Sequence, residues 1–152
     1  MASIEKSIDV NVPLSTAYNQ WTQFEEFPRF MEGVEEVIQL DDQRLRWRAN
    51  VGGQTKEWYA RITEQVPDSR IAWTSEGGSF TAGSVTYHRI GEDQTRIMLQ
   101  MEYDPENIVE EVGDKLGFVS RRVQGDLDRF KEFIESRGQE TGAWRGTVAR
   151  PS

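Results

Sequence analysis

The chain has 152 residues, enough for one domain with a substantial core, and carries 18 Lys+Arg against 26 Asp+Glu for a formal net charge of −8. An acidic balance repels phosphate backbones, so nucleic-acid binding is not expected, and the absence of cysteine excludes disulfides, thiol nucleophiles and thiolate metal sites. No long apolar run offers a membrane span, and Met1 to Lys6 lacks the basic and apolar regions of a secretory signal, so a cytoplasmic protein without integral membrane contact is expected.

Ile4 to Val12 alternates, with Ile4, Lys6, Ile8, Val10 and Val12 on one face, which predicts a half-buried strand. Pro13 ends it and suits the first turn of a helix, where a missing N–H costs nothing. Leu14, Ala17, Tyr18 and Trp21 then recur at helical spacing, giving a short helix to about Thr22. A second short helix forms around Pro28, where Phe24, Phe27, Phe30 and Met31 crowd together. Four such residues in so short a segment are not expected all to point inward, which predicts some exposed apolar surface.

From Val34 the period switches to two. Val34 to Leu40 is a strand, followed by a turn at Asp41-Asp42-Gln43. Leu45, Trp47, Ala49 and Val51 alternate with arginines and Asn50 up to the hairpin signal Gly52-Gly53. Trp58, Ala60 and Ile62 share a face on the next strand, which turns at Pro67-Asp68-Ser69. Ile71 and Trp73 follow, then Val85 and Tyr87, then Ile97, Leu99, Met101 and Tyr103. Asp104-Pro105 stops the last strand. Successive hairpins make an antiparallel sheet with one buried face, and the arginines between the inner aromatics are solvated positions.

Ile108, Val112, Leu116, Val119, Val123, Leu127, Phe130 and Ile134 follow in steps of three or four, so one stripe of a long helix from Ile108 to Ile134 faces the sheet. Gly113 and Gly117 lie off that stripe and Phe118 roughly opposite it. Interior glycine costs about 1 kcal/mol, which predicts a break near Gly117, with Glu106 to Asp114 a mobile gate. The alternative is that Phe118 contacts a homodimer partner. Gly138 is a helix C-cap, so residues 1–138 form the domain and 139–152 a flexible tail. Trp144 in that tail either packs back on the domain or docks on a partner.

This element order resembles the helix-grip fold of the START-like superfamily. The segments Trp21 to Val37, the Trp47–Trp58–Trp73 strand series and Gly125 to Gly138 are similar to the SRPBCC polyketide cyclase/dehydrase group, which also takes in the coenzyme Q-binding (Coq10-like) proteins. The resemblance implies an α+β fold, in which an antiparallel sheet of about seven strands wraps a long C-terminal helix with two short helices after strand 1. It implies a cavity for a hydrophobic small molecule, whether lipid, isoprenoid, quinone or polyketide-like. The residues expected to line it are Trp47, Trp58, Trp73, Tyr87, Met101 and Tyr103 from the sheet. Phe27, Phe30 and Met31 form the rim, and Leu116, Val119 and Val123 come from the helix. The same side chains equally describe a bulky core, and Phe24, Phe27, Phe30 and Met31 equally describe a staple holding the short helices.

Catalytic patterns are sparse. His88, the only histidine, is out of phase with Tyr87 and faces solvent, so a histidine base is not expected, nor any metal or cofactor. Glu35 and Glu36 are adjacent on a strand and are expected on opposite faces. Asp126 sits at the edge of the apolar stripe and is expected to pair outward with Arg129 or Arg122 rather than reach the pocket. Cyclase or dehydratase activity, with Tyr87 and Tyr103 as proton donors, follows from resemblance alone. An interaction module using Phe30, Phe118 or Trp144 is a third reading.

Overall fold

The computed structural model describes residues 2–51, 53–76, 81–103 and 115–148. Seven strands form one antiparallel sheet: β1 (Ala2–Val10), β2 (Val34–Gln39), β3 (Arg44–Val51), β4 (Gln54–Val66), β5 (Arg70–Glu76), β6 (Thr81–Gly91) and β7 (Gln94–Tyr103). Their order across the sheet is β1-β7-β6-β5-β4-β3-β2, a meander that β1 completes by pairing with the last strand. Helix α1 (Leu14–Trp21) and a 3-10 turn (Phe24–Arg29) separate β1 from β2, and helix α2 (Lys115–Arg137) follows the sheet. This is the helix-grip architecture.

The inner face is the alternating apolar set. Leu45, Ala60, Ile62, Ile71, Val85, Ile97 and Leu99 are buried, and α2 lays Leu127, Phe130 and Ile134 on them. The described part of α2 runs unbroken through Gly117, while the predicted gate from Glu106 to Asp114 and the Phe118 side chain lie outside the described residues.

Three expectations change. First, Phe24, Phe27 and Phe30 are all buried, at 5%, 2% and 2% exposure, so the expected apolar surface is absent from them. The reason is the helix type: at three residues per turn, side chains at i and i+3 eclipse, so this spacing lines up three phenyl rings, edge to face, on one side. Their centroids lie 5.3 and 5.6 Å apart in sequence, and Phe30 continues onto Phe130 of α2 at 5.2 Å. Second, Glu35 and Glu36 do not point to opposite faces. A bulge lies between Val34 and Glu36, where two residues oppose one. Both carboxylates therefore reach Arg48, at 3.3 and 3.9 Å, on the solvent side.

Third, the chain after Gly138 is fastened as far as Val148. The Gln20 side chain, wholly buried, donates to Thr141 Oγ1 (3.0 Å) and accepts from Thr141 N (2.8 Å). Trp144 N donates to Thr22 Oγ1 at 3.0 Å, and Val148 exchanges two backbone hydrogen bonds of 2.9 Å with Gln65. Trp144 packs back on the core. The polar residues of α1 are buried because this strap satisfies them, as buried polar groups require. Gln65 itself faces inward because a second bulge, between Ile62 and Glu64, shifts the phase of β4.

Candidate functional site

Between the sheet and α2 lies a partly open cavity of about 240 Å³. Its sheet wall is a set of in-phase positions: Leu45 and Trp47 on β3, Trp58, Ala60 and Ile62 on β4, Ile71 and Trp73 on β5, Leu99 and Met101 on β7. Trp21 of α1, Phe24 and Met31 close one side, and Val123, Asp126 and Leu127 of α2 form the roof. A wider dent of about 420 Å³ elsewhere on the sheet is edged by Ser3, Glu5, Arg70, Ser84, Gln100 and Glu102. Its polar rim suits water; the inner cavity suits an apolar guest.

Cross-strand register builds the aromatic wall. Trp47 sits opposite Trp58, and their rings stack at 5.9 Å with planes 10° apart. Phe27 backs Trp47 at 5.6 Å. Trp73 sits opposite Gly83, whose missing side chain leaves the indole room to lie across β6.

Asp126 is the one ionisable side chain among the described lining residues. Its Oδ1 accepts from Glu32 N at 3.0 Å and from Arg129 Nη2. Arg129 Nε also donates to Phe30 O (2.8 Å), and Arg122 Nη1 to Glu32 O (2.9 Å). These bonds latch the Phe30–Gly33 segment, which carries Met31 into the cavity wall, onto α2. Burial raises the Asp126 carboxyl above the usual aspartate value, and its N–H and guanidinium partners only partly offset that. The expectation of an outward pairing is thus half the picture: Asp126 pairs with Arg129 and lines the cavity as well.

Of the residues expected at the pocket, Trp47, Trp58, Trp73, Met101, Met31 and Val123 line this cavity. Phe27 and Phe30 lie behind the wall, in the ring cluster that joins the 3-10 turn to Trp47 and α2. Tyr87 is elsewhere: its ring meets Tyr18 of α1 edge-on at 5.3 Å, and its buried hydroxyl has no partner among the described residues. Burial, then the neighbouring Tyr18, drives the Tyr87 pKa well above its ordinary value. The side chains of Tyr103, Leu116 and Val119 lie outside the described residues. His88 is exposed and bonds Thr86 on its own strand.

Sequence reasoning left out Leu45, Ala60, Ile62, Ile71 and Leu99, though each is in phase with a named aromatic. Trp21 and Phe24 belong to segments read as a helix and a rim, and only their tertiary placement brings them to the wall.

A seven-stranded sheet gripping a C-terminal helix over an apolar cavity defines a START-like protein. The chain belongs to the family described as polyketide cyclase / dehydrase and lipid transport, whose model matches residues 10–132. A Streptomyces lincolnensis relative, described as an uncharacterized 17.2 kDa protein in the melC2-rnhH intergenic region, is 58% identical over 97% of this chain and 99% of its own. Among solved structures, the Zhui aromatase/cyclase from a Streptomyces species superposes with a TM-score of 0.76 at 16% identity, over 94% of this chain and 99% of that one. A START superfamily protein from Mycobacterium smegmatis gives 0.72 at 14% identity, over 89% and 98%. At such identities these two structures share the fold.

Proposed function

We propose that the protein binds a hydrophobic small molecule, of the lipid, isoprenoid, quinone or polyketide-like classes, in the cavity under α2. The observation that carries the reading is the cavity wall, built of tryptophan, phenylalanine and aliphatic side chains with a single carboxylate. A cavity of about 150 Å³ takes benzene, so this one accommodates two fused rings or an equivalent length of chain, the remainder emerging through the opening. A two-ring body comparable to an indole buries about 200 Å² of apolar surface, worth about 5 kcal/mol before the costs of association.

Family membership supports a guest of this kind and leaves its identity to experiment. Cyclase chemistry finds less support, since the Tyr87 hydroxyl is under α1 and not at the cavity. The interaction reading is weakened in the same way, because Phe30 is buried and Trp144 packs on its own domain.

Two measurements test the binding reading. Protein purified under native conditions is extracted with organic solvent and the extract examined by mass spectrometry for an apolar compound. A fluorescent fatty acid is then titrated into the stripped protein. A co-purified compound, or saturable fatty-acid binding that Trp47→Ala weakens, is the expected result. Neither appearing would defeat the proposal.

A further inference from the structure

We infer that Asp126 makes the cavity selective for ligands that carry a neutral hydrogen-bond donor, a hydroxyl or N–H, on their otherwise apolar body. The inference rests on the binding reading above and specifies what the ligand must offer.

Two oxygens of one carboxylate are treated differently here. Oδ1 takes both protein donors, Glu32 N and Arg129 Nη2. Oδ2 has no partner among the described residues, and the side chain lines a wall that is otherwise apolar. An apolar guest that covers Oδ2 and returns no hydrogen bond leaves a charged acceptor unmet, whereas a guest with a placed hydroxyl supplies the bond. Sites built around a polar group reject analogues lacking its partner far better than apolar pockets discriminate by size.

The donor need not be a cation. Arg129 bonds the same carboxylate and Arg122 adds to the positive field around it, so two cations already stand beside it. A hydroxyl supplies what is missing without bringing a further charge into an apolar space.

The test uses 2-naphthol and 2-methoxynaphthalene, which differ in the donor and little else, in equilibrium dialysis at pH 7 against the full chain. The wild type is expected to prefer 2-naphthol by about tenfold or more. The ratio of the two affinities should fall severalfold in Asp126→Leu. Asp126→Asn keeps an acceptor for Glu32 N and should also lose most of the preference, which covers the case of a Leu variant that fails to fold. Comparing ratios between proteins cancels the probes' own difference in hydrophobicity. An unchanged ratio in Asp126→Asn, with both probes bound, overturns this role for Asp126 and leaves the cavity reading standing. A uniform loss of both affinities at constant ratio shows a latch for the Phe30–Gly33 segment only, and equally overturns it. Failure of the wild type to bind either probe overturns the inference, while the binding reading stands or falls separately on the extraction and the fatty-acid titration.

Discussion

At Gly83 the sheet leaves no room for a side chain. A Cβ there would stand 2.5 Å from the Gln100 carbonyl oxygen and 2.8 Å from the Trp73 ring. The first neighbour is backbone and cannot yield without opening β6 from β7; the second is the wall of the cavity. Gly83→Ala should therefore destabilise the fold by about 1–3 kcal/mol, the usual range for overpacking, in urea unfolding. It should also shift the tryptophan emission, since the Trp73 indole must move. An unperturbed Ala variant would mean that the ring does not lie over this residue.

Glu135 carries a pH dependence at the same scale. Burial alone would raise its pKa, but Lys131 Nζ at 2.6 Å and the Asn11 N–H at 2.7 Å outweigh it, and the net shift is downward from 4.5. A lowered folded-state pKa means that the ionised form stabilises the fold. That contribution is present above the unfolded value and disappears as pH falls through the folded one. Thermal unfolding followed from pH 7 to pH 3 should show part of the acid loss beginning below about 4.5, and Glu135→Gln should flatten that part. Equal acid slopes for the two proteins would contradict the assignment.

Among the elements, the 3-10 turn acts as the keystone. Phe30 touches Trp21, Phe27, Phe130 and Phe133, so one ring joins α1, the turn and α2. Truncation to alanine removes a fully buried ring from between three elements, and Phe30→Ala should cost about 3–5 kcal/mol in chemical denaturation. A cost under 1 kcal/mol would place Phe30 at a tolerant surface instead. The strap after α2 makes a second case. Val148 is buried at 5% exposure and Trp144 is half-buried, so deleting residues 139–152 should lower stability by at least about 2 kcal/mol. A strap free in water would leave the unfolding midpoint where it was.

For the molecule as a whole, a ligand that enters only the folded state stabilises by mass action. At a free concentration one hundred times its Kd, a bound apolar guest should add about 2.7 kcal/mol to the unfolding free energy. The gain should vanish in a variant whose cavity is filled, such as Ala60→Phe, if that variant keeps its fold. Persistence of the gain there would locate the guest outside this cavity. No described helix is long and apolar enough to cross a membrane.

Element type and facing direction were legible in the chain because both are local. A period of two or of 3.6 is written into neighbouring residues, and Leu45, Trp47, Ile62, Trp73 and Leu99 face inward as their spacing requires. Where the pattern misled, the deciding partner was distant. The bulges beside Glu35 and after Ile62 depend on the strand opposite, and they moved Glu35 onto the face of Glu36 and turned Gln65 into the core. The polar face of α1 is buried because residues 140–148 return to cover it, a contact that no local pattern records. Spacing alone determined that a helix would lie on an aromatic sheet. How far it stands off, that Tyr87 falls under α1, and that Asp126 joins the wall were decided only when side chains far apart in the chain met and competed for one volume.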